Sequence, residues 1–296
     1  MSQTSRRSGY VAIVGRPNAG KSTLLNALIG QKISITSRRP QTTRQNIAGI
    51  LSCPDAQLVF LDTPGFQTQY RTGLTKAMDR GFKNALSEAH VVLWLIDVTA
   101  NALTDNELFA RLPNSASLVI AINKIDRIPN KNKILEYIQL LDAAYHPKAV
   151  VPISAQNKLQ LDTLIQALTP LLPQQEFLYA EDNITTASVR SLAAEMIREK
   201  LFRLLGQELP YSTAVEIESF EEKPALTRIR AVILVDKPGQ KAIVIGKGGE
   251  KLKEIGSAAR MDIEKLVGGK VFLELWVKVK QSWSDDRRTL DRLGLS

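Results

Sequence analysis

The sequence predicts a two-domain α/β protein: a doubly wound, mostly parallel six-stranded sheet, followed by a smaller α+β domain. Three observations carry this. The chain has 296 residues, more than the roughly 100 to 200 of a typical single domain. Its first half alternates short apolar runs with segments of helical length, the rhythm of βαβ units. A proline-marked break then separates that rhythm from a second half with a different element order.

Apolar runs at 10–14, 57–61, 91–96, 118–122 and 149–153 read as buried strands, with a sixth near 46–51. In a sheet of this kind ligands sit at the carboxyl ends of the strands. Helical periodicity over 159–168 stops at Thr169-Pro170, and Pro173-Gln174-Gln175 follows as a breaker. The first domain is therefore placed at 8–174, a linker at 175–187, the second domain at 188–283 and a C-terminal tail at 284–296. Within the second domain, 188–205 reads as a helix and 212–220 and 227–235 as alternating strands. A helix or turn leads into Gly246-Lys247-Gly248-Gly249, a further helix runs from about 250 to 266, and 270–280 closes as a strand.

Composition narrows the class. With 44% hydrophobic and 23% charged residues the chain can build ordinary globular cores, which argues against disorder or a fibre. No apolar run reaches the roughly 18 to 20 residues needed to span a bilayer, and the N-terminus lacks a signal-peptide stretch, so a cytoplasmic location is expected. Cys53 is the single cysteine, which excludes an internal disulfide and multi-cysteine metal sites. The net charge of +9 favours an anionic partner, nucleic acid or an acidic membrane surface. Up to Tyr179 there are 19 Lys and Arg against 12 Asp and Glu, and beyond it 20 against 18. Any nucleic-acid argument for the second domain must therefore rest on local clusters.

Gly15-Arg16-Pro17-Asn18-Ala19-Gly20-Lys21-Ser22 matches the phosphate-binding pattern G-x-x-x-x-G-K-[ST] between a strand and a helix. Glycines let the backbone wrap phosphates, and the helix N-terminus adds amide donors. Lys21 is expected to reach the β- and γ-phosphates, and the Ser22 hydroxyl to ligate Mg²⁺. Asp62-Thr63-Pro64-Gly65 ends the next buried strand, placing a carboxylate to hold Mg²⁺ and the Gly65 amide near the γ-phosphate. Asn123-Lys124-Ile125-Asp126 selects the base. The Asp126 carboxylate can accept from the ring N–H and exocyclic amine of guanine, a pair adenine does not offer on the matching edge. Asn123 is expected to read the base edge and brace the loop, Lys124 to cover the ring, and Ser154-Ala155 to offer backbone amides to the guanine carbonyl.

These four motifs in this order resemble the Ras-like GTPase superfamily. Gln41-Thr42-Thr43-Arg44 falls where that superfamily keeps its first switch, and Thr43 is the favoured γ-phosphate-dependent Mg²⁺ ligand. The catalytic set is thus Lys21, Thr43 and Gly65, and the metal set Ser22, Thr43 and Asp62. Phe66 stands where Ras-like enzymes carry a water-orienting glutamine; a phenyl ring cannot hydrogen-bond water, so slow intrinsic hydrolysis is expected. Asn18 occupies the position of a cation ligand in potassium-assisted relatives, and either binds K⁺ or only shapes the loop.

In the second domain, Ile245-Gly246-Lys247-Gly248-Gly249 joins two helical segments in the element order of a type II KH domain, whose GxxG loop clamps single-stranded RNA. Lys237, Lys241, Lys247, Lys251 and Lys253 surround it. A Ras-like P-loop GTPase domain followed by a type II KH domain resembles, over essentially the whole chain, the Era family of TrmE-Era-type bacterial GTPases. That resemblance implies binding to the 3′ end of 16S rRNA near the anti-Shine-Dalgarno sequence. It also implies GTP-dependent engagement of the 30S precursor and peripheral association with the inner membrane; a monomer is expected. A membrane-surface GTPase whose second domain binds protein stays open as a competing reading, and an ATP-driven RNA remodeller is disfavoured by Asn123 to Asp126. Trp283 is left between stacking a base and packing in the core. His90 and His146 are assigned no chemistry.

Overall fold

The computed structural model describes residues 6–37, 42–66, 72–100, 103–206 and 209–295. Contacts divide the chain into two compact units. The first is built from Met1–Ser34, Thr43–Thr68 and Asp79–Thr186, and the second from Ile35–Thr42, Gln69–Met78 and Ala187–Ser296.

In the first unit β1 (Arg7–Val14), β2 (Ile47–Cys53), β3 (Ala56–Asp62), β4 (Val91–Asp97), β5 (Ser117–Asn123) and β6 (Ala149–Pro152) form one sheet in the order β2-β3-β1-β4-β5-β6. Among the described strands of this sheet only β2 and β3 pair antiparallel. Two residues, Pro54 and Asp55, join them, enough for a hairpin and too few for the crossover that parallel pairing requires. The crossovers are helical: α1 (Lys21–Ile29), α2 (Gly73–Glu88), whose residues up to Met78 are grouped with the second unit, α3 (Asn106–Phe109), α4 (Asn132–Tyr145) and α5 (Leu161–Leu168). Every residue of β3 is buried, as expected of a strand covered on both faces. Trp94, Ile122, Leu141 and Tyr145 share one core cluster, with the Trp94 and Tyr145 rings 4.8 Å apart. β1 lies between β3 and β4, so the connections diverge there and open a crevice at its carboxyl end.

The connecting residues after the last helix run back along this unit. Arg7 bridges to Gln174 and Gly49 to Thr185, and the Tyr179 amide donates to Gln57 Oε1 at 2.9 Å.

The second unit contains α6 (Val189–Leu204), β7 (Thr213–Glu221), β8 (Thr227–Val235), α7 (Pro238–Ile245), α8 (Glu250–Val267), β9 (Val271–Val279) and α9 (Arg287–Arg292). Ser188 caps α6 by accepting from the Ser191 amide at 3.1 Å. The sheet order is β7-β8-β9, antiparallel then parallel. One face packs under α6 and α8 through Ile197, Leu201, Ile229, Ile233, Ile255 and Ile263. On the other face Ala214, Val232 and Leu234 lie under Trp283, Leu290 and Leu295. This resolves Trp283 in favour of the core. Its ring is fully buried, and its Nε1–H donates to the Ser212 carbonyl at 3.0 Å. Removing such a ring costs roughly 3 to 5 kcal/mol, and a ring so placed is closed to stacking with a base. The tail expected at 284–296 folds in part into α9, which supplies Leu290 to this cluster.

Candidate nucleotide site and RNA-binding loop

The phosphate-binding segment begins where β1 ends. Gly20 caps α1 at φ 104°, and a Cβ there would meet Asn123 Nδ2 at 2.4 Å, so both its dihedral and its neighbour demand glycine. Asn123 explains the tightness. Its Nδ2 donates to the Ala19 carbonyl at 2.8 Å and its Oδ1 accepts from the Ala155 amide at 2.9 Å. One buried amide thus ties the phosphate loop, the end of β5 and the loop after β6, bringing together three segments that the sequence assigned to one site. Ser154 is fully buried beside it, and its Oγ accepts from the Asn157 amide at 3.2 Å.

Lys124 adds a strap: its Nζ donates to the Asn18 carbonyl at 2.8 Å and to Asp97 Oδ2 at 2.5 Å. Burial pushes the Asp97 carboxyl up, but the Lys124 and Thr99 hydrogen bonds outweigh it and hold the group below its ordinary range. Ile125 and Asp126 sit on a single helical turn. Ile125 packs against the core and its amide donates to the Ile153 carbonyl at 3.3 Å, leaving Asp126 exposed beside the strap.

Lys21 is buried, and its ammonium donates to the carbonyls of Gly15 and Arg16 at 3.0 and 3.1 Å. Burial pushes its pKa down to about 8, against the pull of the nearby Asp62 charge. The three residues expected to hold the metal converge. Ser22 Oγ donates to Asp62 Oδ2 at 2.7 Å, and the Ser22 and Thr43 hydroxyls lie 2.9 Å apart. Ser34, which sequence reasoning missed, also donates to Asp62 Oδ2, at 2.8 Å. Burial pushes the Asp62 carboxyl up, opposed by Lys21 and by the hydroxyls of Ser22, Ser34 and Thr43. Its Oδ1 is buried with no hydrogen-bond partner. An orphaned carboxylate oxygen among hydroxyl oxygens is a donor set that fits a hard divalent cation such as Mg²⁺.

In the switch segment, Gln41 lies outside the described residues. Thr42, Thr43 and Arg44 are buried. The Thr42 carbonyl, grouped with the second unit, accepts from Arg198 Nη2 at 2.5 Å. Thr63 Oγ1 donates to the Ile13 carbonyl at 2.8 Å, and Pro64 leads into Gly65, which packs against Pro17: a Cβ there would lie 3.0 Å from Pro17 Cα.

Phe66, expected among the nucleotide-contacting residues, has its ring in the core. Its ring is buried in the core cluster, with the Arg16 and Arg111 guanidiniums 4.7 and 5.1 Å from the ring centroid. Its amide donates to the Gly15 carbonyl at 3.2 Å. A large apolar ring gains more from this core and its two cations than from a solvated cradle, so the ring anchors the loop. The Arg16 side chain likewise turns outward, pairing with Asp105 at 2.5 and 2.9 Å and with Glu107 at 3.0 Å.

In the second unit α7 runs into the glycine loop. Gly246, Gly248 and Gly249 all have positive φ, and Lys247 is exposed between them. At Gly248 φ is 60° and a Cβ would meet nothing within 4 Å, so that position is open. Ile245 packs against the core, and Lys251, the second residue of α8, pairs with Glu254 at 2.7 Å. Beside the loop a groove of about 450 Å³ runs between α8 and β9, walled by Leu252, Gly256, Arg260, Leu273 and Leu275.

Comparison with known proteins agrees with both halves. A family model described as a 50S ribosome-binding GTPase matches residues 10–124, and a KH domain model matches residues 208–284. GTPase Era of Chromobacterium violaceum is 48% identical over the full length of both chains. The chain belongs to the Era family of GTPases. GTPase Era of a Neisseria meningitidis serogroup C strain is 47% identical, covering 98% of this chain and 95% of the relative. Two solved Era structures superpose with a TM-score of 0.93 at 39% identity, covering 98% of this chain and 99% of theirs. One is a tyrosine-to-alanine variant of Aquifex aeolicus Era bound to GDP and AlF4⁻. The other is an Era in complex with MgGDPNP and nucleotides 1506–1542 of 16S ribosomal RNA. Asp97, Ser34 and the Arg16 pairing carried no motif by which a single sequence of this family would mark them.

Proposed function

We propose that this Era-family chain hydrolyses GTP to GDP and phosphate as an RNA-binding switch. Its target on this reading is the 3′ end of 16S rRNA, where it assists maturation of the 30S subunit. The observation that carries the target is the full-length similarity to an Era solved with nucleotides 1506–1542 of that RNA. The description of the first family model speaks of the 50S particle, but the KH unit and the 16S-bound relative favour the small subunit.

In the nucleotide unit Gly15 to Ser22 wraps the phosphates, Lys21 meets the β- and γ-phosphates, and the Gly65 amide donates to the γ-phosphate. Ser22, Thr43 and Asp62 hold Mg²⁺, which when bound neutralises charge on the β- and γ-phosphate oxygens. Asp126 reads guanine, Asn123 fixes the loop under the base, and Lys124 covers it. Thr43 couples this site to the switch segment by ordering only while the γ-phosphate is present. With Phe66 anchored in the core, hydrolysis is slow. Asn18 is exposed at the rim and serves as a K⁺ ligand; single-turnover hydrolysis is then faster in potassium than in sodium buffer, and equal rates overturn that role.

In the KH unit Lys247 and the glycine amides clamp RNA backbone, and the neighbouring groove takes the bases. Among the described residues no helix is long and apolar enough to cross a membrane, and the basic nucleotide half supports a peripheral contact with the acidic inner-membrane surface. Crosslinking the GTP-loaded protein to RNA in cells tests the target. Sites clustered at the 3′ end of 16S rRNA support it, and sites scattered over other RNAs overturn it.

A further inference from the structure

The outer face of the KH sheet is only half covered. Ala214, Val232 and Leu234 lie under Trp283, Leu290 and Leu295, whereas the β9 edge carries Phe272 and Trp276 in the open, 48% and 53% exposed. Strand alternation puts both rings on the side away from Val271 and Val277, which face the core. Four residues apart on an extended strand, they are separated by roughly 13 Å. Among the described exposed large apolar side chains of the second unit, these two are the aromatic ones.

Charge and position indicate the partner. Arg228 is opposite Phe272 in register, with its guanidinium 5.9 Å from the ring centroid. Arg230 and Lys278 are exposed on the same side of their strands. The acidic groups on this face are Glu274, opposite Arg230, Glu221, opposite Arg228, and Glu216, which pairs with Arg292 at 3.6 Å, so each glutamate has an arginine beside it and Lys278 adds to the balance. Phe272 also reaches the rim of the groove beside the glycine loop, which makes the two surfaces continuous around the β9 edge. Rings flanked by cations on a sheet face form the arrangement on which single-stranded nucleic acid stacks.

We infer that the outer face of β9, with Phe272 and Trp276 as stacking rings and Arg228, Arg230 and Lys278 as phosphate contacts, is a second platform for the RNA strand that occupies the groove. The inference rests on the RNA reading above. A GxxG loop clamps about four nucleotides, whereas the RNA solved with the Era relative spans nucleotides 1506–1542. The platform gives the remainder a place to bind.

The test compares that RNA with a decamer of its 3′ end, using the full-length protein and the variant Trp276→Ala, which leaves the residues lining the groove intact. The variant binds the decamer within about twofold of the unsubstituted protein and the long RNA about 10- to 100-fold more weakly. Arg228→Ser with Arg230→Ser, which removes neither ring, weakens the long RNA in the same direction. Trp94 and Trp283 are 2% and 0% exposed, so acrylamide quenching reports on Trp276. The long RNA protects it and the decamer does not. Unchanged long-RNA affinity in both variants overturns the platform. Unchanged affinity combined with lost binding to 30S particles overturns it in favour of a protein partner. Failure of the unsubstituted protein to bind either RNA overturns the RNA reading and the platform with it.

Discussion

Asp126→Asn lowers GTP affinity by about 10³-fold or more and creates use of xanthosine triphosphate. The reason is the pattern of donors. Guanine presents a ring N–H and an exocyclic amine, and a carboxylate accepts both, whereas a carboxamide accepts one and sets its own N–H₂ against the amine. An unmatched polar pair in a site built for hydrogen bonding costs far more than a lost apolar contact. Xanthine carries a carbonyl where guanine has the amine, so the same carboxamide satisfies it. The fold is indifferent to the exchange. The turn bearing Asp126 is fixed by backbone, with the Ile125 amide on the Ile153 carbonyl and the Arg127 amide on the Lys124 carbonyl, and among the described residues the Asp126 carboxylate makes no hydrogen bond. Competition binding with GTP, ATP and xanthosine triphosphate measures the change. An undiminished preference for GTP in the variant removes Asp126 from base recognition.

The contrast with Asn123 is instructive. Asn123→Ala takes away the bond to Ala19 and the bond to Ala155 together, so its effect on affinity mixes base recognition with collapse of the loop. Asp126 separates the two, which is why it is the cleaner probe of base identity.

The nucleotide site was legible because its parts are short and stand at the ends of buried strands. Gly15 to Ser22 follows β1, Asp62 ends β3 and Asn123 ends β5, so finding the strands by periodicity also located the loops. Ser22 and Asp62 were placed by the same reasoning, whereas Thr43 was placed by the resemblance to the Ras-like first switch. Ser34 escaped because a lone serine between apolar residues resembles many loop serines; only Asn26 reveals it, accepting from the Ile33 and Ser34 amides at 2.9 Å each and so turning that loop toward Asp62. Phe66 was read from its position in a motif, and a motif position fixes the backbone but not the direction of a side chain. The structure places its ring in the core beside two arginines. Trp283 illustrates the complementary limit: lying past the last strand, it has no periodicity to declare which way it points, and only the uncovered Ala214, Val232 and Leu234 face supplies the reason for its burial.

Lys247→Asp combined with Gly248→Asp lowers RNA affinity by about 100-fold or more and leaves intrinsic GTP hydrolysis within about twofold. Phosphate attraction supplies much of the affinity for nucleic acid, and the double substitution replaces the exposed cation of the loop with two anions beside the backbone it clamps. The loop itself persists. Aspartate tolerates the left-handed conformation better than most residues, and at Gly248 a side chain enters open space. Val244 and Ile255, which anchor α7 and α8 in the core, are untouched. Lys247→Ala then isolates the charge: for single-stranded RNA each lost phosphate contact reduces the slope of log affinity against log salt by about 0.7. Fluorescence anisotropy with the 3′-terminal decamer at several salt concentrations reads both effects. A double variant that binds like the unsubstituted protein places the RNA contact away from this loop. A smaller salt slope for Lys247→Ala, with the groove residues unaltered, assigns one phosphate to that lysine and leaves the bases to the groove between α8 and β9.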